Sequence, residues 1–179
     1  MKKTILTLIL LASVLPFAFS QNGQMIKVGT KAPDWLFQDA DRKEFSMNSW
    51  AGKVLQINYV DPDVSDLNDP FNDAVNKATD KDKTLDKNLF KGMGIVDCKS
   101  TWKPNGIIRM IAGNKARKYN TTILFDYDGN LQKSWGLPKD SYTVVILDKN
   151  RIVRYIHTGA IPESEFNGLV QMLIQLSHE

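Results

Sequence analysis

One thiol, two imidazoles and a run of carboxylates carry most of the chemistry open to this 179-residue chain. Cys98 is the only cysteine, so an internal dithiol/disulfide cycle is impossible by count. A lone thiol can act as a one-cysteine redox enzyme or sensor, or pair with a second molecule. Lys99 beside it could favour the thiolate. Against this stands the ordinary use of cysteine as a small packing residue, and no second functional group lies near Cys98 in sequence. His157 could meet it only through the fold, and His178 is nearly terminal. Two histidines and one cysteine are little material for a zinc or copper site.

The carboxylates Asp61, Asp63, Asp66, Asp69 and Asp73 are the other concentration of reactive groups. Oxygen ligands of that density could hold a hard cation, but an EF-hand needs glycine at the sixth loop position and glutamate at the twelfth, and this segment has neither. Acidic groups just before a helix also cap free N–H groups and complement the macrodipole. Asp80, Asp82 and Asp86 alternate with Lys81, Lys83 and Lys87, the pattern of a solvated face, and Arg109, Lys115, Arg117 and Lys118 form another. Trp35, Trp50, Trp102 and Trp135 are spread along the chain as core residues, with room for one to line a groove. Gly-x-Gly-x-x-Gly, P-loop, Gly-x-Ser-x-Gly and His-Glu-x-x-His motifs are all missing, so the sequence calls for no cofactor.

Lys2 and Lys3, the apolar run Thr4–Phe17 and the small residues Ala18 and Ser20 read as an export signal cleaved after Ser20. The run is shorter than the ~20 residues a membrane-spanning helix needs. The expected compartment is the periplasm. The mature chain, residues 21–179, is sized for one domain and carries 21 basic against 20 acidic side chains. That balance gives no electrostatic argument for nucleic acid.

The elements that must position these groups follow from patterning. Two short extended pieces are expected between Phe37 and Phe45. Val54–Val60 is short, β-branched and nearly all apolar, as a strand buried on both faces should be. Asp69-Pro70 opens a helix carrying Phe71, Ala74, Val75 and Ala78; Thr79–Lys83 interrupts it, and Leu85, Leu89 and Phe90 mark a second short piece. Gly94–Cys98 is the next strand. Pro104 opens a helix with Ile107, Ile108, Ile111, Ala112 and Tyr119 inward. Thr121–Phe125 is a strand closed by Asp126-Tyr127-Asp128-Gly129-Asn130. Tyr142–Leu147 and Ile152–His157 form an antiparallel hairpin around Asp148–Arg151, and Pro162 starts a terminal amphipathic helix. The order β-α-β-α-β, hairpin, helix implies an α/β fold with a mixed central sheet and helices on both faces.

This layout resembles the thioredoxin-like superfamily. Val28-Gly29 with Ala32-Pro33-Asp34, and Trp50-Ala51-Gly52-Lys53 leading into Val54–Asn58, are similar to the opening of peroxiredoxin and TlpA-type proteins. Thr121–Asp126 with Asp128-Gly129, then Trp135-Gly136-Leu137, Thr143–Asp148 and Gly159–Glu163, resemble the YtfJ family of exported bacterial proteins over roughly residues 26–176. The resemblance implies a thioredoxin-like domain over 21–179. Redox members keep Cys-x-x-Cys after the first core strand. Here that stretch is Asp61–Asp69, without a thiol, and the position of their cis-proline falls at Ser141 or Tyr142. The resemblance therefore implies a non-catalytic module that binds an envelope peptide or protein, with Asp61, Asp63, Asp66 and Tyr142 as the binding surface. The competing expectation is the one-cysteine redox role of Cys98.

Overall fold

The computed structural model describes residues 25–118 and 120–179, Lys118 by its backbone alone. The expected signal at 1–20 and the expected inward Tyr119 lie outside the described residues. In chain order the elements are β1 (Leu36–Gln38), β2 (Glu44–Ser46), β3 (Val54–Val60), α1 (Asp69–Asn76), β4 (Phe90–Asp97), α2 (Asn105–Lys118), β5 (Thr122–Asp126), α3 (Asn130–Trp135), β6 (Tyr142–Leu147), β7 (Val153–Thr158) and α4 (Phe166–His178).

The seven strands make one sheet in the order β2-β1-β5-β4-β3-β6-β7. β3–β4 and β4–β5 are parallel pairs, joined through α1 and α2, and the remaining neighbours are antiparallel. Both crossovers step the same way across the sheet, so their right-handedness puts α1 and α2 on one face. The alternation of β3 then divides the core. Leu55, Ile57 and Tyr59 join Met93, Ile95, Trp35, Trp135 and Leu131 on the α3 side. Val54 and Val60 join Phe71, Val75, Phe90, Leu169 and Leu173 on the side of α1 and α4. The expected mixed sheet with helices on both faces, a late hairpin and a closing helix is the fold that forms.

Three expectations need correction. The helix begun at Asp69 does not break at Thr79. It widens into a π-type turn over Lys77–Lys81 and ends where Lys83 takes a positive φ of 53°. Phe90 belongs to no second helical piece; it opens β4, which starts four residues before the expected Gly94. Gly92 and Gly94 mask the strand, because glycine weakens the propensity signal without preventing pairing. In α2, Ile108 is buried as expected, but Ile107 and Ile111 are 45% and 55% exposed. Among the described residues that helix packs through Ile108, the partly buried Ala112 and the buried Gly113, which lies close against Ala40, with Ile123, Phe125 and Val96 in the same cluster. It leaves part of the sheet uncovered. A short helix that the patterning missed, α3, is held by Asp126, whose carboxylate accepts the N–H groups of Asn130 and Leu131, each at 2.8 Å.

Candidate functional site

The aspartates sit in the β3–α1 loop and the first turn of α1, and the carboxylates of Asp61, Asp63, Asp66 and Asp69 are already engaged. Asp61 is buried and accepts the Asp63 N–H at 2.7 Å as a local cap. Asp63 pairs with Lys103 and accepts from Thr101 Oγ1 at 3.1 Å. The Lys103 hydrogen bond holds the Asp63 carboxyl below the usual carboxylate range, and Thr101 adds to it. Asp66 and Asp69 share Lys115 of α2, at 3.3 and 3.8 Å. Among the described residues no three carboxylate, imidazole or thiol groups converge as a cation site would need. The loop instead straps α1's entrance to α2 and the segment before it.

The main chain beside the loop is also engaged. Asp61 N–H donates to the Ser141 carbonyl at 2.9 Å, and Gly159 N–H to the Tyr142 carbonyl at 2.8 Å. Of Asp61, Asp63, Asp66 and Tyr142, only Tyr142 lines the large cavity on this face.

That cavity is a cleft of about 900 Å³ between α1 and α2, near the top of the ~300–1,000 Å³ that small-molecule sites span. Its floor follows from four positions. Where β4 turns toward the helices it presents Gly92 and Gly94, which leave the sheet bare. Opposite them in register stand Gln56 and Asn58 of β3. Asn72 of α1 reaches down to both: its Oδ1 accepts from Gln56 Nε2 at 3.0 Å and from Asn58 Nδ2 at 3.2 Å. Those two bonds fix its orientation, so Asn72 Nδ2 is the atom that donates to Tyr142 Oη at 3.0 Å. Burial pushes the Tyr142 phenol up to about 12, so its hydroxyl keeps a proton to donate. Gln56 is 2% exposed, and its Oε1 accepts from no group among the described residues. An unmatched buried acceptor costs about 1–3 kcal/mol, which a ligand's donor would offset. The walls carry apolar stretches, Val75 and Phe90 on one side and Ile108, Ile111 and Ile123 on the other, with polar residues such as Asp69, Asp73 and Thr79 among them.

The sequence carries one trace of this floor. Polar residues at alternate positions of an otherwise apolar strand, Gln56 and Asn58, mark a face that is not ordinary core. What no pattern carried was that Gly92, Gly94, Asn72 and Tyr142 would meet them.

Cys98 lies just past β4, on neither the cleft nor the loop. It is 5% exposed, with Sγ 3.7 Å from the Val96 carbonyl. Burial pushes its thiol up to about 12, and Asp126 and Asp97 add to the rise. The expected influence of Lys99 is outweighed. Tyr59 Oη donates to Asp126 Oδ2 at 3.1 Å below it, and burial raises the Asp97 carboxyl as well. His157 Nε2 pairs with the Ala160 carbonyl at 3.0 Å. Of the tryptophans, Trp35 and Trp135 are core, Trp50 lines the cleft, and Trp102 is 87% exposed.

The family model described as "Bacterial protein of unknown function (YtfJ_HI0045)" matches residues 21–176. The chain belongs to this YtfJ family. No curated protein matches it. Among solved structures it is similar to a candidate thiol:disulfide interchange protein, DsbE, of Chlorobium tepidum: 17% identity, TM-score 0.60, covering 85% of this chain and 99% of that one. A candidate protein disulfide isomerase of Bacteroides thetaiotaomicron shares 19% identity at TM-score 0.64, covering 88% and 94%. A peroxiredoxin-like protein of Aquifex aeolicus shares 16% at TM-score 0.58, covering 86% and 90%. At these identities the likeness establishes the thioredoxin-like fold. The two cysteines of a dithiol site are not in this sequence.

Proposed function

We propose that this YtfJ-family chain is exported by residues 1–20 and acts in the periplasm as a non-catalytic module that binds a peptide segment of an envelope partner. The working surface is the cleft between α1 and α2, with Tyr142 at its floor and the loop aspartates holding its upper end. The observation that carries this reading is the polar floor: a connected Gln56–Asn58–Asn72–Tyr142 network, with the buried Gln56 Oε1 unpaired, at the base of a cleft with apolar stretches in its walls. A floor built for core packing would be apolar at those positions. Nothing about Cys98 favours the redox alternative, since a buried thiol of raised pKa is a poor nucleophile.

The test is a photo-crosslinking residue, benzoylphenylalanine, placed at Ile111 in the cleft and separately at Glu163 before α4, in cells exporting the full chain. A discrete adduct is expected from position 111 and none from 163. It should disappear when Gln56→Met and Asn72→Leu are combined. Equal adducts from both positions, or an adduct indifferent to the floor, would remove the cleft from consideration.

A further inference from the structure

The cleft is electrically lopsided. Its upper lysines, Lys103 and Lys115, are matched by the loop carboxylates. At the lower end it is lined by Lys53, Lys87, Lys91 and Trp50. Lys53 Nζ donates to the Lys87 carbonyl at 2.8 Å, and Lys91 Nζ stands 5.7 Å from the centre of the Trp50 ring. Lys87 is paired with Asp80, but among the described residues neither Lys53 nor Lys91 has a carboxylate partner. Burial lowers the Lys91 pKa, and Lys53 and Lys87 lower it further. An anion placed between them would relieve that repulsion.

The same end holds an open strand edge. β4 pairs with β3 from Phe90 onward, whereas its pairing with β5 begins only at Met93↔Thr122. Among the described residues, Phe90, Lys91 and Gly92 therefore pair with a strand on one side only, and all three line the cleft. Gln56, with its unpaired Oε1, is the register partner of Gly92. An anchored cation pair, a free main-chain edge and a buried acceptor thus lie within a few residues of one another.

We propose that the cleft takes the free C-terminus of an extended peptide: the terminal carboxylate on Lys91 and Lys53, the main chain along the Phe90–Gly92 edge, and a peptide N–H donating to Gln56 Oε1. Strand addition supplies affinity through main-chain hydrogen bonds, and the pockets supply side-chain choice. A fatty acid satisfies the cations and the apolar stretches of the walls, but brings no donor to Gln56 and no partner for the strand edge. This assignment rests on the cleft-binding function above and names the chemistry of its ligand.

The probes are N-terminally fluorescein-labelled apolar tetrapeptides, Leu-Val-Ala-Leu and its permutations, each made as the free acid and as the C-terminal amide. Binding to the mature chain is read by fluorescence anisotropy. Free acids should bind, and amidation should weaken binding by about ten- to hundredfold, the worth of a charged hydrogen bond. Lys91→Met should shrink that difference, and Lys91→Met combined with Lys53→Met should erase it. Lys53→Met serves the same purpose if Lys91→Met fails to fold. Gln56→Met should weaken acid and amide alike. Equal binding of acid and amide, with both weakened by Gln56→Met, overturns the C-terminal assignment and leaves the cleft reading standing. Binding of dodecanoate that is indifferent to Gln56→Met overturns the peptide in favour of a lipid. No binding of any probe, together with no adduct at position 111, overturns both.

Discussion

Cys98 shows how little a residue's type says before its surroundings are known. Its sequence neighbours are Asp97 and Lys99, yet burial, with Asp126 brought up by the fold and Asp97 beside it, outweighs the lysine. With a pKa pushed up to about 12, fewer than about one molecule in ten thousand carries a thiolate at neutral pH. In the native mature chain the thiol should therefore react with iodoacetamide far more slowly than free cysteine, and fully once the protein is denatured. Cys98→Ala should cost roughly 1 kcal/mol of stability and change nothing in the cleft. Native labelling at the rate of a free thiol would return Cys98 to the list of candidate reactive groups. Gln56 is the opposite case. Nothing in its type suggests function, yet among the described residues it and Trp35 are the buried side chains with a polar atom left unpaired, and of the two only Gln56 lines the cleft.

At the scale of elements, the turn Asp148–Arg151 was legible from its residues, but its structural job was not. Arg151 adopts a positive φ of 66° and is 7% exposed. Its guanidinium donates to the carbonyls of Lys53 and Trp50, each at 2.7 Å, of Met47 at 3.0 Å and of Asp148 at 3.3 Å. This fork ties the β6–β7 hairpin to the Met47–Trp50 turn and to the start of β3. Lysine has the charge but not the planar fork. Arg151→Lys should destabilise by about 2–4 kcal/mol, lowering Tm by about 5–15 °C. A change within a degree or two of wild type would mean the carbonyls find other donors. β4 teaches the complementary lesson: Gly92 and Gly94 shortened the strand on paper, and in the sheet they are the reason its face is open.

At the scale of the whole molecule, the cleft and the stability of the fold pull in different directions. Neither Gly92 nor Gly94 needs glycine for its backbone, and a Cβ at Gly94 would meet Ile123 at an ordinary 3.8 Å. Gly94→Val should therefore hold or raise stability, by up to about 1 kcal/mol from reduced chain entropy and better strand propensity. It should also fill the floor and abolish both the position-111 adduct and tetrapeptide binding. A variant that folds better and binds worse is the outcome expected when the glycines serve a ligand. If Gly94→Val destabilises the fold and leaves binding intact, they serve the packing of α2 instead.

The sequence by itself determined the architecture: one buried strand after another, capped helices between them, a hairpin and a closing helix. It also determined the absence of a dithiol site, because a count of cysteines needs no coordinates. Signals of this kind are local, carried by the period of apolar residues and by the chemistry of turns. Only the tertiary structure decided where a ligand could sit. Asp61, Asp63 and Asp66 looked like one cluster because they are close in sequence, and the fold gives each a different partner. Gln56, Asn72, Gly94 and Tyr142 are far apart in sequence and form one floor, because strand register and helix crossover bring them together. A site assembled from four separate elements leaves only faint traces along any one of them.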